Sequence, residues 1–112
     1  TEENVLKVVK RQMEDVGLTL HNDAMKPPHH VDGDSVFVQT LLKAYEAFTG
    51  REGECLSTGG GTYVHALKNG VAFGAAMPGT DNRMHGADEF AVLEDLLVSA
   101  KIFAQVIVDL CS

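Results

Sequence analysis

The fold of this chain depends most on residues 57–89, which read STGGGTYVHALKNGVAFGAAMPGTDNRMHGADE. Within them, residues 71–77 form an almost uninterrupted apolar run, which is typical of a strand covered on both faces in a parallel or mixed sheet. The Asn69-Gly70 pair predicts a turn before this run, and Pro78 ends it. The sequence therefore predicts an α/β fold, with helices packed on a parallel or mixed sheet.

A glycine loop precedes the apolar run. Gly59, Gly60 and Gly61 follow a short strand predicted at residues 54–57 and precede a short helix predicted at residues 62–67. Consecutive glycines leave main-chain N–H groups accessible, and such groups bind a carboxylate, a phosphate or an oxyanion. The loop lacks the motifs of P-loops and dinucleotide sites, so nucleotide binding is not expected. A tight structural turn would explain the three glycines about equally well.

His85 is the candidate metal ligand. It lies three residues before Asp88, where a helix is predicted to begin and to continue to Leu110. The positive end of this helix favours the neutral imidazole that binds metal, and Asp88 or Glu89 could orient the ring. A lone histidine before a helix is more often a capping or surface residue. The three or four ligands that a zinc site needs cannot be assembled from the other histidines, which are His21, His29, His30 and His65.

Helix and strand patterns also precede this central stretch. Apolar residues recur at intervals of three and four over residues 3–16, and Gly17 follows as a C-terminal cap. Residues 18–21 alternate in polarity and predict a half-buried strand. Because proline removes a main-chain donor, Pro27 and Pro28 mark a linker or a domain boundary after that strand.

One long helix is predicted on each side of the glycine loop. The first follows Ser35 as its N-cap and closes at Gly50, with an apolar face made by Phe37, Leu41, Leu42, Tyr45 and Phe48. The second, over residues 88–110, is apolar around most of its circumference and therefore requires burial. It would extend roughly 35 Å, which is long for a domain of this size.

The composition excludes several classes of partner. The chain has 112 residues and a formal net charge of −7, with only nine Lys and Arg, so binding to nucleic acid is not expected. Two cysteines without CxxC spacing favour a reducing compartment. Neither a signal sequence nor a run of eighteen apolar residues is present, so we expect a cytoplasmic protein without membrane contact.

Four motifs in this order resemble the C-terminal signature of the dizinc M20 metallopeptidases, with the PepV-like dipeptidases closest. They are GGGTY at residues 59–63, GVAFGA at residues 70–75, MPG at residues 77–79 and MHGADEF at residues 84–90. The similarity extends to the helix after Ser35 and to the final helix, so it covers nearly the whole chain.

The resemblance implies a fold and a division of the chain. Members of this family are several times longer, and their catalytic α/β domain is interrupted by a smaller ferredoxin-like lid. By that resemblance, residues 1–27 are the last helix and strand of the lid domain. Residues 28–112 are then the C-terminal part of the zinc-peptidase catalytic domain, and the N-terminal remainder of that domain is the expected partner.

The resemblance also implies a function for the full-length parent. It would be a cytoplasmic dipeptidase in which two zinc ions activate water to hydrolyse dipeptides or short peptides. His85 would bind one zinc ion, whereas Gly60, Gly61 and Thr62 would line the substrate site. The general base and the other ligands would lie upstream, so no catalytic residue is expected in this chain, and the isolated chain should be inactive.

Two departures from the family pattern and two alternative functions stay open. His65 stands where arginine is common, which leaves the substrate preference open, and His29-His30 replaces more usual apolar residues. One alternative is a stand-alone anion-binding α/β module that uses the Gly59–Gly61 loop. The other is a non-catalytic assembly domain, which would self-associate through the apolar final helix.

Overall fold

A computed structural model describes residues 1–21, 24–74 and 76–112. The regular elements of these residues are α1 (Glu2–Asp15), α2 (Val36–Thr49), a 3₁₀ helix (Tyr63–Ala66) and α3 (Leu93–Cys111). The chain divides into two compact units, Thr1–His30 and Val31–Ser112. The assignment of residues 1–27 to a lid domain and of residues 28–112 to a catalytic domain stays a prediction.

The first unit is built around α1, whose amphipathic pattern predicted it correctly. Leu6, Val9 and Met13 are its half-buried residues and share one face, but α1, which the structure describes throughout, contains no fully buried residue. The helix ends where Gly17 adopts a left-handed conformation with φ of 74°. The Leu18 N–H then donates to the Met13 carbonyl at 2.8 Å, which is the bond of a Schellman cap.

The second unit begins with α2, and the predicted capping residues define both of its ends. The Ser35 side chain accepts a hydrogen bond from the Val38 N–H at 3.3 Å. At the other end, Gly50 is left-handed with φ of 66°, and its N–H donates to the Glu46 carbonyl at 2.8 Å. The prediction of this helix is confirmed.

The core of the second unit lies between α2 and α3. Leu41 and Ala44 of α2 are buried against Ile102 and Val106 of α3, and Met77 completes the cluster. Partly buried apolar residues pack around it, namely Phe37, Tyr45, Val71, Phe73 and Val98. The Phe73 and Phe103 rings meet edge to face, with centroids 5.5 Å apart and planes at 76°.

The predicted α/β fold is wrong, because none of the described residues forms a strand and the regular structure is helical. This correction includes the strands predicted at residues 18–21, 54–57 and 71–77, and with them the parallel or mixed sheet. An apolar run indicates burial, whereas a strand also requires main-chain hydrogen bonds to a neighbouring strand. Within residues 71–74, 76 and 77 no such ladder forms; Ala75 lies outside the described residues.

The apolar run is instead buried on one side only. Val71 and Phe73 are half-buried and Met77 is buried, and these three residues contact the core cluster. The alternate positions, which are Ala72, Gly74 and Ala76, are exposed. The prediction that both faces of this segment are covered is therefore not met in this chain.

Helix α3 begins five residues later than predicted. Asp88 has a left-handed backbone with φ of 57°, which an α-helix excludes, and the helix starts at Leu93 with Val92 as its N-cap. Much of its apolar surface is exposed, including Leu93 at 75%, Leu97 at 63% and Ile107 at 61%. The apolar character of α3 does not make it a membrane span: among the described residues, no helix is both long and apolar enough to cross a bilayer.

Candidate functional site

The glycine loop presents bare main chain. Gly59, Gly60 and Gly61 are all exposed, and none of these three described residues has a positive φ. A Cβ atom at Gly59 or Gly61 would meet no atom within 4 Å, and one at Gly60 would meet only the Thr58 hydroxyl at 3.7 Å. Neither backbone conformation nor packing within this chain therefore requires glycine here. The open space favours a ligand or another segment that approaches the backbone closely.

Thr62 and His65 fix the 3₁₀ helix that follows the loop. The Thr62 hydroxyl accepts from the Val64 N–H at 3.2 Å, which leaves its own proton free to donate to a ligand. The His65 Nδ1 atom lies 3.0 Å from the Thr62 carbonyl oxygen and 3.4 Å from the Thr62 nitrogen. Depending on its tautomer, the ring donates to that carbonyl or accepts from that N–H. With Nδ1 as the acceptor, His65 closes a capping box beside the loop.

His85 lies on a loop whose backbone is unfavourable at three positions. Arg83, His85 and Asp88 all have left-handed conformations, with φ of 57°, 64° and 57°. Each such residue other than glycine costs roughly 1–2 kcal/mol relative to a right-handed conformation. Clusters of this kind persist only where surrounding interactions hold them, and they are common at functional sites.

Short-range hydrogen bonds hold the histidine loop. Asp81 Oδ1 accepts from the Arg83 N–H at 3.0 Å, and Asn82 Oδ1 accepts from the Met84 N–H at 3.2 Å. The Gly86 N–H donates to the Arg83 carbonyl at 2.7 Å. A Cβ atom at Gly86 would lie 3.0 Å from that carbonyl oxygen, so a side chain here would press on the turn and glycine is favoured.

The environment predicted for His85 from the helix start is wrong. Because α3 begins at Leu93, its first turn carries Glu94 and Asp95, and Asp88 lies in the preceding loop. The Asp88 carboxylate lies 3.8 Å from the Arg83 guanidinium in an exposed ion pair. The helix therefore begins eight residues after His85, and Asp88 and Glu89 are not residues of its first turn.

His85 is the candidate metal donor, and the described residues do not place a full coordination sphere around it. His85 is exposed, so its imidazole is accessible to an ion. Within residues 1–21, 24–74 and 76–112, no group of three or more His, Cys, Asp or Glu side chains is placed to hold a metal. A zinc site needs three or four ligands, so a zinc ion bound by His85 would require further ligands from other polypeptide.

A small cavity lies between the histidine loop and the start of α3. Its volume is about 90 Å³, and its polar lining residues include Thr80, Asn82 and Asp95. Neither His85 nor the glycine loop lines it. The predicted site residues thus lie on two separate exposed loops, with the one-sided apolar segment between them in the chain.

Sequence reasoning missed two residues that organise these loops. The Arg51 Nη1 atom donates to the Pro78 carbonyl at 3.0 Å and links the end of α2 to the turn that precedes the histidine loop. Asn82 accepts hydrogen bonds within the histidine loop itself. Nothing in the local pattern indicates the Arg51 contact, whereas Asp81-Asn82 is a recognisable signal for side-chain turns of this kind.

Comparison with known proteins gives matches over most of the chain. The family model described as peptidase family M20/M25/M40 matches residues 4–109. Putative dipeptidase YtjP of Bacillus subtilis is 46% identical over 83 residues, which are 74% of this chain and 18% of that protein. Beta-Ala-Xaa dipeptidase of Lactobacillus delbrueckii subsp. lactis is 44% identical over 88 residues, which are 79% of this chain and 19% of that protein.

A third relative extends the match to almost the whole chain. A putative dipeptidase of Staphylococcus epidermidis is 33% identical over 109 residues, which are 97% of this chain and 23% of that protein. The chain thus spans about a fifth of the length of the curated relatives it matches. No solved structure gave a significant match.

Proposed function

The chain belongs to peptidase family M20/M25/M40, and we propose that it is the C-terminal part of a zinc-dependent dipeptidase. The family match over residues 4–109 carries this proposal, because it includes both the glycine loop and the histidine loop. The match confirms the family resemblance drawn from the four motifs. The relatives, a putative dipeptidase and a Beta-Ala-Xaa dipeptidase, support dipeptides or short peptides as the substrate class.

The glycine loop is the proposed substrate-binding wall. Gly60 and Gly61 are exposed, and the Gly60 N–H already donates to the Thr58 hydroxyl at 3.3 Å. The proposed donors are therefore the Gly61 N–H and the Thr62 hydroxyl, which keeps a proton for donation. An N–H donor and a hydroxyl donor suit the carboxylate end of a dipeptide, since hydrogen bonds to an ionised acceptor are stronger than those to a neutral one. The open space around the glycines supports this role, because a side chain there would restrict the approach of the peptide.

His85 is the proposed ligand of one of two zinc ions. When bound, such a pair of ions activates water and polarises the peptide carbonyl. The remaining ligands and the general base would be supplied by the N-terminal remainder of the parent, and this chain supplies no catalytic residue. Its part is to hold one imidazole and one wall of the substrate site. The isolated chain would therefore be inactive, because one ligand is too few for a stable site.

The exposed apolar surface of α3 supports a partner for this chain. Large apolar side chains are exposed along this helix, namely Leu93, Leu97 and Ile107, and such exposed apolar surface is typical of an interaction site. The N-terminal remainder of the same catalytic domain is the proposed cover. In this arrangement residues 1–27 form the end of the lid domain, and residues 28–112 complete the catalytic domain.

Two exposed cysteines bear on the proposed location of the parent. Cys55 and Cys111 are both free and exposed, which suits a reducing compartment. The relatives named above are bacterial dipeptidases or putative dipeptidases. We accordingly place the parent enzyme in the cytoplasm as part of this proposal.

The test of the proposed function is a matched pair of histidine variants in the full-length parent. We expect His85→Ala to lower zinc-dependent hydrolysis of dipeptides at least about 100-fold, because outer-sphere partners of metal ligands already contribute 10–100-fold. His30→Ala, which removes another exposed histidine, should leave turnover unchanged. Equal activity of the two variants would remove the role assigned to His85.

One specific observation supports each of the two alternative functions. The open glycine loop favours a stand-alone anion-binding module, which would bind phosphate or carboxylate without metal in a calorimetric titration of the chain. The exposed apolar residues of α3 favour an assembly domain, which would self-associate in light scattering. Zinc-dependent hydrolysis by the parent, lost in His85→Ala, would exclude both alternatives as the principal function.

A further inference from the structure

Asn82 occupies a distinct place in the loop that carries His85. Within residues 81–90, all of which the structure describes, Asn82 is the one half-buried residue, and the other nine are exposed. It is half-buried and lines the cavity between this loop and the start of α3. One end of the loop is thereby anchored against the body of the second unit.

Asn82 accepts two hydrogen bonds within the loop, one with its main chain and one with its side chain. The Asn82 main-chain carbonyl accepts from the Phe90 N–H at 3.2 Å, which brings the two ends of the loop together. The Asn82 side-chain Oδ1 accepts from the Met84 N–H, also at 3.2 Å. Met84 directly precedes His85, so the second bond restrains the peptide next to the imidazole-bearing residue.

Residues 83–85 have an unfavourable backbone conformation, which would relax without the hydrogen bonds that hold it. Arg83 and His85 flank Met84, and both have the left-handed conformation that residues other than glycine disfavour. Asp81 Oδ1 restrains the Arg83 N–H from outside the closed loop, and Asp81 is itself exposed. The Asn82 side chain is therefore the acceptor that joins the anchored base of the loop to the residue beside His85.

We propose that Asn82 is a positioning residue for the metal-binding role of His85, acting through the Met84 N–H and without contact to the ion. This inference rests on the proposed function, in which His85 is a zinc ligand. A ligand whose backbone is held in place binds more tightly, because the apparent affinity falls with the fraction of molecules in the competent conformation. An asparagine or aspartate side chain supplies the required acceptor, and an alanine side chain does not.

The test uses three variants of the full-length parent. Asn82→Ala removes the Oδ1 acceptor but keeps the main-chain bond to Phe90, and Asn82→Asp restores an acceptor at the same position. Asn69→Ala, which changes an exposed asparagine in another turn, is the matched control. Amide hydrogen exchange at Met84 is measured in metal-free protein, and the zinc affinity is measured by competition with a chelator.

We expect Asn82→Ala to speed Met84 exchange and to weaken zinc binding roughly three- to tenfold, the range that the loss of one hydrogen bond allows. The KM for a dipeptide should change less than the zinc affinity, because the substrate wall is a different loop. Asn82→Asp should restore both the exchange rate and the affinity, and Asn69→Ala should match the wild type.

Two results would overturn the inference: an Asn82→Ala protein with wild-type zinc affinity and Met84 exchange, or a loss that Asn82→Asp does not restore. Failure of the proposed function is distinguishable from these results. It would be seen as a wild-type protein without zinc-dependent hydrolysis of dipeptides, whereas Met84 exchange reports the loop restraint without metal or substrate.

Discussion

Two isoleucines of α3 provide a matched test of how this chain is covered in its parent. Ile102 is 3% exposed and belongs to the core between α2 and α3, whereas Ile107 is 61% exposed. They lie on the same helix and have the same chemistry. Replacing each by alanine in the isolated chain and in the full-length parent therefore separates burial within this chain from burial by other polypeptide.

The expected effects follow from the carbon atoms removed. Ile→Ala deletes three carbons, so full burial corresponds to ~2.4 kcal/mol of transfer free energy at ~0.8 kcal/mol for each. The cavity left behind adds to this, so we expect Ile102→Ala to lower the free energy of unfolding by about 3 kcal/mol. Ile107 buries about two-fifths of its surface, which corresponds to ~1 kcal/mol, and the higher helix propensity of alanine offsets a few tenths.

The destabilisation caused by Ile107→Ala should be larger in the parent protein than in the isolated chain. If the N-terminal remainder covers α3, Ile107→Ala should lower the local stability of this helix by about 2 kcal/mol or more in the full-length protein. Urea unfolding followed by circular dichroism measures the isolated chain. Native-state hydrogen exchange of α3 amides is better suited to the parent, because a protein of several domains need not unfold in two states.

Two results would refute this reasoning. A cost below about 1 kcal/mol for Ile102→Ala in the isolated chain would contradict the core between α2 and α3. A cost for Ile107→Ala that is equally small in the isolated chain and in the parent would show that this face of α3 stays exposed. The proposed cover by the N-terminal remainder would then fail.

Three further substitutions test other parts of the structure. Ser35→Ala should lower the stability of the chain by about 1 kcal/mol, because it removes the N-cap of α2, and thermal unfolding against Ser35→Thr measures this. Gly60→Val should leave the unfolding transition nearly unchanged but raise the KM of the parent for dipeptides, since the new side chain occupies open space beside the substrate wall; an unchanged KM would contradict that role. Gly86→Ala places a Cβ atom 3.0 Å from the Arg83 carbonyl, so it should displace the histidine loop and weaken zinc binding in a chelator competition, whereas wild-type affinity would show that the loop tolerates the change.

The helices could be predicted from the sequence where their ends depend on local chemistry. Ser35, Gly50 and Gly17 terminate α2 and α1 through bonds and left-handed conformations that involve only neighbouring residues. The predicted start of α3 at Asp88 is wrong for a related reason. Asp88 and Glu89 are typical of a first helical turn, but the left-handed backbone at Asp88 and the Phe90 bond to Asn82 delay the helix.

The sheet could not be predicted correctly from an apolar run alone. The apolar residues 71–77 indicate burial, and Val71, Phe73 and Met77 do pack against the helices of this chain. Strand formation depends on a second segment that supplies main-chain hydrogen bonds, and the described residues contain none.

The sequence motifs indicate the residues of the candidate site, but they do not indicate the hydrogen bonds that hold its loops. The family match over residues 4–109 includes both the glycine loop and His85. The Arg51 bond to Pro78 spans 27 positions and depends on tertiary structure, so no local pattern reveals it. The capping role of His65 likewise depends on the ring orientation in the 3₁₀ helix.

Metal content of the parent tests the central claim most directly. Full-length wild-type protein and its His85→Ala variant would be dialysed against the same weak chelator, and the bound zinc would be determined by mass spectrometry. If His85 ligates one ion of a two-zinc centre, the wild type should retain two zinc ions per chain and the variant one or fewer. Two zinc ions retained by both proteins would contradict the claim that this chain donates a ligand to the centre.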